Sequence, residues 1–258
     1  MKSCRIDHYL LESGLTPSLA KAQALIMSGV VLVDDKCVDK CGQEIALPAT
    51  VRLKKNETPY VSRGGEKLAG AQNAFGFSCE GRVALDVGVS TGGFTDFLLQ
   101  SGAAFVFGID VGYGQLDFRI RQDERVFVLE RCNARLLTKP QLAQKLSKNS
   151  HLLSYLDHID LVVMDLSFIS VTKVLPVVKT WVDPHSEYVV LIKPQFEAER
   201  DWVGEGGIIR DPEVRERVIL SVMERLIALG FMIKGRCDSP ILGAKGNHEF
   251  FLWLAYGG

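Results

Sequence analysis

The chain has 258 residues, 47% of them hydrophobic and 24% charged, and its net charge is −1. That length admits one large domain or a large and a small one, and the composition is that of a soluble globular protein. No apolar run reaches the roughly 18 residues of a membrane span, and the N-terminus MKSCRIDHYLLESG carries charges where a signal peptide needs an apolar stretch. A cytoplasmic protein is the default expectation.

Cys4, Cys37, Cys41, Cys79, Cys132 and Cys237 are scattered without a CxxC pair. Only Cys37 and Cys41 lie close together, and no second pair stands ready to complete a tetrahedral zinc site, so reduced thiols and no metal are expected. A near-neutral chain does not advertise nucleic-acid binding through its overall field. Residues 1–61 hold eight Lys and Arg against seven Asp and Glu, and the remainder holds 22 against 24. RNA binding would therefore rest on a local patch.

In chain order, RIDHYLLESG reads as a short helix with Ile6, Tyr9, Leu10 and Leu11 inward and Gly14 as its stop. Thr16-Pro17-Ser18 opens a second helix that runs to Gly29, with Pro17 in the first turn, where its missing N–H costs nothing. VVLV and CVD, split by Asp34-Asp35-Lys36, read as a β-hairpin, VRLKK (51–55) as a further strand, and 56–59 as a linker. From Val83 strands alternate with helices. Strands are expected at 83–89, 104–111, 126–132, 159–166 and 187–193, and their continuous apolar runs suit a mostly parallel sheet buried on both faces. The clearest helix runs from Asp211-Pro212 to Gly230, with Val214, Val218, Val222 and Leu226 in one apolar stripe. FMIKGRC and HEFFLWLAY, joined by LGAKGN, complete seven strands. The fold expected is α/β, an open doubly wound sheet. Its domain limits are placed at 1–58 for a small α+β domain, 59–82 for a linker and leading helix, and 83–258 for the large domain.

VALDVGVSTGGFTDF (83–97) closes the first of these strands with Asp86 and a glycine loop. Such a strand–loop–helix is a general nucleotide-site device. The GxGxxG fingerprint needs glycine at 88, 90 and 93. Position 90 is serine, which disfavours the close approach to a pyrophosphate that NAD requires. A Walker A ending is missing as well. S-adenosylmethionine has no phosphate and needs room for a methionine tail, an acid for its ribose hydroxyls and a slot for adenine. Asp110, ending the second strand, is placed to accept from the ribose. Asp86 starts the loop, near where the cofactor's ammonium would lie, and Asn133 follows the third strand, at the adenine edge. Phe94 and Phe168 adjoin the site as walls.

Ligands in open α/β sheets sit beyond the carboxyl ends of the strands. There Asp165 ends the fourth strand and Lys193 the fifth, and an ionisable residue closing an apolar strand is expensive unless paired or working. Glu249 reaches the same edge if the last strand runs antiparallel. Lys67 precedes the first strand in SRGGEKL, which reads as a helix. A Lys-Asp-Lys-Glu cluster suits methyl transfer to a hydroxyl, a poor nucleophile that a lysine held by carboxylates can hydrogen-bond. Two surface salt bridges are the plainer alternative.

VSRGGEKL, LDVGVSTGGFTD, VMDLSFIS, LIKPQFE, GGIIRDP and SPILGAKGNHEF together resemble the haemolysin A (TlyA) family, ribosomal RNA 2′-O-methyltransferases related to FtsJ-type enzymes. The resemblance spans nearly the whole chain, with the motifs in the family's order. RIDHYLLESGL and KAQALIMSGVVLVDDKCVDK resemble the small RNA-binding domain named after ribosomal small-subunit protein four. The resemblance implies a seven-stranded, Rossmann-like, S-adenosylmethionine-dependent methyltransferase domain behind a small α+β RNA-binding domain. Its sheet order would be 3-2-1-4-5-7-6, with strand seven antiparallel. The activity implied is rRNA (cytidine-2′-O)-methylation. Lys67, Asp165, Lys193 and Glu249 fall on the family's quartet: Lys193 would activate the ribose 2′-hydroxyl, Asp165 and Glu249 would hold it, and Lys67 would place the ribose.

Gly88, Ser90, Gly92, Gly93 and Asp110 would line the cofactor site, with Asp86, Phe94, Asn133 and Asp165 beside them. Arg5, Lys21, Arg63 and Lys67 are the candidate phosphate contacts. The partners implied are ribosomal RNA or ribosomal subunits and no membrane; the oligomeric state is not legible, and a monomer is the default. Two features depart from the family pattern: PSLAKAQALIMSG is poor in Lys and Arg, and WVGEGGIIRD has Glu205 where a basic residue is common. The alternative function is an RNA-binding ribosome-assembly factor that keeps the fold without the activity. A membrane-lytic reading finds neither an apolar span nor a strongly basic amphipathic helix. The histidines show no ligand spacing, and Trp181, Trp202 and Trp253 read as core or rim packing.

Overall fold

The computed structural model describes residues 3–27, 29–53, 58–147, 152–243 and 245–256. The chain divides into two units, Met1–Glu57 and Thr58–Gly258. Part of the expected linker and the end of VRLKK lie outside the described residues, as does His151.

The first unit contains the short strands β1 (Ser3–Arg5), β2 (Val31–Val33), β3 (Lys36–Cys37), β4 (Glu44–Ala46) and β5 (Val51–Leu53), with helices α1 (Ile6–Glu12) and α2 (Leu19–Met27). β2 pairs antiparallel with β3 and with β5. Asp34 and Asp35 turn the hairpin with φ of 47° and 63°, the positive-φ pair that matches strand twist in a two-residue loop. β1 pairs antiparallel with β4, a contact distant in sequence that no local pattern announces. Arg5 therefore ends a strand and precedes the helix instead of opening it. Ile6 and Leu10, one turn apart, are fully buried, whereas Leu11, about 100° further round the helix, is 38% exposed. The second helix starts at Leu19, where the Ser18 hydroxyl accepts from the Lys21 N–H at 3.2 Å. Pro17 thus lies ahead of the cap, outside the first turn.

The second unit is built on a seven-stranded sheet of β6 (Val83–Val87), β7 (Phe105–Ile109), β8 (Val126–Leu129), β9 (Ile159–Asp165), β10 (Glu187–Ile192), β11 (Phe231–Asp238) and β12 (Phe250–Tyr256). Their order is β11-β12-β10-β9-β6-β7-β8. Counted one to seven along the chain, this is the expected 3-2-1-4-5-7-6. β12 runs antiparallel to both its neighbours, and the other pairings are parallel. Alternate residues serve opposite faces. Leu85 and Val87 join Phe107, Met164 and Ile219 in one core; Ala84 joins Val106, Val163, Leu68 and Phe97 in the other. Helices α3 (Arg63–Phe75) and α4 (Gly93–Gln100) cover the second face, and the helix Pro212–Ala228 covers the first. Burial from both sides is why these strands read as continuous apolar runs and not as alternating ones.

Thr58–Ser62 is strapped to α4. The Val61 N–H donates to Asp96 Oδ2 at 2.7 Å, the Gln100 amide donates to the Pro59 carbonyl at 3.2 Å, and Tyr60 meets Phe97 edge-on. Among the described residues no helix is long and apolar enough to cross a membrane.

Candidate active site

β6 has β7 on one side and β9 on the other, the strand-order reversal at which open α/β sheets form a crevice beyond their carboxyl ends. Gly88 begins the loop there with φ +94°, and a Cβ on it would stand 2.2 Å from the Asp165 carbonyl oxygen. Only glycine lets the loop lie against the end of β9. At Gly93 a Cβ would stand 2.3 Å from Ser62 Oγ, so the absence of a side chain seats α4 against the start of α3. Gly92 precedes α4 as its N-cap. These glycines serve close packing within the fold, a reason the sequence alone does not distinguish from room for a ligand.

Asp86 is fully buried. It lies behind the loop, and neither cleft beside the loop is lined by it. Its Oδ2 accepts from the Thr95 hydroxyl at 2.7 Å, and its Oδ1 has no partner. Burial pushes this carboxyl up to about 7, with repulsion from Asp165 and Asp110 in the same direction. Asp110, at the end of β7, accepts from the Ser90 N–H at 2.7 Å and the Gly112 N–H at 2.6 Å. It is locked beside the loop, and each oxygen keeps accepting capacity for another donor. Asn133 uses its Oδ1 to accept from the Arg135 N–H at 3.0 Å, which leaves its NH2 for a ligand.

A cleft of about 430 Å³ is lined by Gly88, Ser90, Asp110, Asn133, Asp165 and Phe168, among others. That volume lies in the range of about 300–1,000 Å³ usual for small-molecule sites. A second cleft, of about 270 Å³, is lined by Arg63, Lys67, Gly93 and Phe94, and shares Gly88, Ser90 and Asp165 with the first. The residues fit S-adenosylmethionine: an acid with spare lone pairs for a ribose, an amide at the far side, and an unpaired buried carboxylate oxygen whose field favours a cation. Phe94 is a buried wall of the second cleft. Phe168 lines the first cleft at its rim, where the residue is 90% exposed. It takes φ +68° and packs its ring 4.9 Å from that of Phe196.

Two ion pairs stand at this edge. Lys193 Nζ lies 2.5 Å from Asp165 Oδ1 and donates to Ser167 Oγ at 3.2 Å. Lys67 Nζ lies 2.5 Å from Glu249 Oε2, with the side chains 11% and 3% exposed. β12 runs antiparallel to β10, so Glu249 arrives at the edge from which Lys193 leaves. Lys67 comes from the first turns of α3, and it shares the second cleft with Asp165. A Cβ on Gly243 would stand 2.4 Å from Glu249 Oε1, so Gly243 lies tight against this pair. Arg63 donates to the Leu242 carbonyl on the same connection at 2.9 Å. Buried ion pairs rarely repay their desolvation in stability. Lys67–Glu249 is such a pair and Lys193–Asp165, with side chains 13% and 23% exposed, is partly buried; Lys67 and Asp165 both line the second cleft.

Arg5 and Lys21 belong to the first unit. Arg5 is committed to the fully buried Asp7, with hydrogen bonds of 3.1 and 2.8 Å, and it holds that carboxyl down to about 2. Lys21 is exposed. Thr95 and Ser167 were not singled out by sequence. Ser167 follows Asp165 by two residues within DLSFIS, which is a usable signal, whereas nothing local marks Thr95 as the partner of Asp86.

A family described as FtsJ-like methyltransferase matches residues 60–256. The 16S/23S rRNA (cytidine-2′-O)-methyltransferase TlyA of Mycobacterium tuberculosis is 42% identical over 254 residues, spanning 98% of this chain and 90% of that one. Hemolysin A of Brachyspira hyodysenteriae is 40% identical over 246 residues, spanning 95% and 97%. A solved structure of a provisionally named hemolysin from Streptococcus thermophilus aligns with a TM-score of 0.72 at 35% identity, covering 98% of this chain and 88% of that chain. Likeness of this degree along the full length, on this fold, means that the chain belongs to the haemolysin A (TlyA) family, and that its second unit is an FtsJ-like methyltransferase domain whose cofactor is S-adenosylmethionine.

Proposed function

We propose that this protein methylates the 2′-hydroxyl of a cytidine ribose in ribosomal RNA. The observation that carries the reading is the placement of Lys193–Asp165 and Lys67–Glu249 at the carboxyl edge of the sheet, with Asp165 lining both clefts. The name of the 42%-identical relative supports the substrate. When bound, S-adenosylmethionine supplies a methyl group activated by its sulfonium. Gly88, Ser90, Asp110 and Asn133 hold the cofactor in the wider cleft. Lys193, fixed by Asp165 and Ser167, would hydrogen-bond the 2′ oxygen and stabilise the negative charge that develops on it while its proton passes to solvent water and the methyl group passes to it from the sulfonium, which leaves as the thioether. Lys67, fixed by Glu249, places the ribose, and Arg63 beside it meets a phosphate. Much of the acceleration is then positional.

Residues 1–58 serve in this reading as the RNA-binding domain, 59–82 as linker and leading helix, and 83–258 as the catalytic domain. The division of the chain after Glu57 supports it. Lys21 is the first unit's exposed phosphate contact, while Arg5 contributes less because Asp7 already holds it.

The test is radiolabelled methyl transfer from S-adenosylmethionine to purified ribosomal subunits, with Lys193→Ala beside the wild type. Label in ribose that is absent with the variant is the expected result. Confirmed cofactor binding with no label on either subunit would instead favour an assembly factor.

A further inference from the structure

We propose that Glu197 is a positioning residue, which clasps the loop between Asp165 and Val171 so that Lys193 meets Asp165 and Ser167 in working geometry. The proposal rests on the role given to Lys193 above. Lys193 is followed by a single helical turn, Pro194–Glu197, and three side chains of this short segment grip the loop in succession. Lys193 holds Asp165 and Ser167 at its start. Phe196 packs on Phe168 in its middle. At its end, Glu197 Oε1 accepts from the Val171 N–H at 2.8 Å.

The loop needs such a clasp. Phe168 holds a left-handed φ of +68° although its side chain is 90% exposed, so burial does not keep it there, and strain of this kind persists only where the surroundings over-determine it. Val171 opens the 3₁₀ turn Val171–Lys173, where the first N–H groups lack partners within the turn. Ser170, the N-cap, accepts from the Thr172 N–H at 3.3 Å, and the Val171 N–H is met by Glu197 from a different element. Glu197 lines neither cleft, so it acts through the loop and not on a ligand. Glu197 itself is half-buried, and the bond it accepts from the Val171 N–H ties the turn after Lys193 to the far end of the loop.

Glu197→Ala, Glu197→Gln and Val171→Pro are compared with the wild type in methyl transfer to ribosomal subunits, cofactor binding by calorimetry, thermal unfolding and hydrogen exchange of residues 166–173. Gln keeps the acceptor. Pro deletes the donor and tolerates a first-turn position after Ser170, whose ψ is 136°. The expected result is a fall in kcat of about 10- to 100-fold for Ala and Pro, with faster exchange over 166–173 and cofactor affinity kept within about twofold. Gln recovers kcat to within about threefold. A kcat for Ala within about twofold of the wild type, or a Gln variant as impaired as Ala, overturns the proposal. If Ala does not fold, the Pro and Gln variants decide by the same readings. A wild type that transfers no methyl to either subunit would sink the methyl-transfer reading, and hydrogen exchange in the variants would still decide whether the clasp exists.

Discussion

Ile192 and Phe250 face each other across the antiparallel β10–β12 ladder, and this pairing brings Lys193, which follows Ile192, and Glu249, which precedes Phe250, to the same edge of the sheet. A parallel last strand would have carried Glu249 to the opposite edge, about 20 Å away along a six-residue strand. The reversed direction of one strand is therefore what lets a carboxylate from the end of the chain meet Lys67 beside the cofactor loop.

The Lys67–Glu249 pair is buried, so breaking it differs from removing it. Glu249→Ala leaves an ammonium 11% exposed with its carboxylate gone, at an expected cost of about 3–5 kcal/mol. Lys67→Met combined with Glu249→Leu recovers most of that stability, yet methyl transfer stays at background. Urea unfolding of the three proteins, alongside the radiolabel assay, separates the two effects. Equal stability of the Glu249→Ala variant and the wild type would contradict the burial argument.

Asp86 links folding and cofactor binding to pH. An unfolded aspartate ionises near about 3.9, whereas burial holds this one protonated up to about 7. Between those values the folded chain binds more protons than the unfolded chain, so this group's contribution to stability falls as pH rises from about 4 to about 7. Asp86→Asn flattens that slope. S-adenosylmethionine carries an ammonium and a sulfonium, so its binding favours the ionised carboxylate, and affinity rises with pH through the same window as a proton is released. Calorimetry in buffers of different ionisation enthalpy measures that proton; its absence would show that Asp86 does not sense the cofactor.

Gly88→Ala places a Cβ 2.2 Å from the Asp165 carbonyl at a φ of +94°. The loop must move away from β9, and the expected loss is about 1–3 kcal/mol of stability with at least about tenfold weaker cofactor binding. Thermal unfolding and a binding isotherm report the two separately. Unchanged affinity would mean that the cofactor does not rely on this loop.

Lys21 and Arg5 separate a free cation from a committed one. Lys21→Ala is expected to weaken RNA binding across sequences and to reduce the salt slope by about 1. Arg5→Ala should change that slope less, because Arg5 already neutralises Asp7. Its effect falls on stability instead. Asp7 is held down to about 2 by Arg5, so the pair stabilises the first unit above the ordinary aspartate value, and this contribution is lost as pH falls through about 2. Filter binding over a salt series and unfolding over a pH series test the two halves. Equal salt slopes for both variants would contradict the distinction.

Much of the fold was legible in short windows. The inner strands of the second unit are continuous apolar runs because the sheet buries both of their faces, whereas the edge strand β11 is partly exposed. The glycine loop and Asp110 were legible for the same reason: they sit where an apolar run stops, and that boundary is local. Asp165, Lys193 and Glu249 also close or precede such runs. The first unit was less legible, because β1 is three residues long and finds its partner β4 far along the chain.

By itself the sequence determined which residues stand at the carboxyl ends of strands and which loop can turn tightly enough to approach a cofactor. Only the tertiary structure decided which lysine meets which carboxylate. Lys67 and Glu249 are 182 positions apart, and their meeting depends on the direction of β12, the packing of α3 and the close approach of Gly243 to Glu249. It also decided that Asp86 lies behind the loop, that Phe168 projects at the rim, and that Glu197 reaches Val171. Each of these is a contact between elements. Periodicity within one element carries no information about the register, direction and distance that bring two elements together.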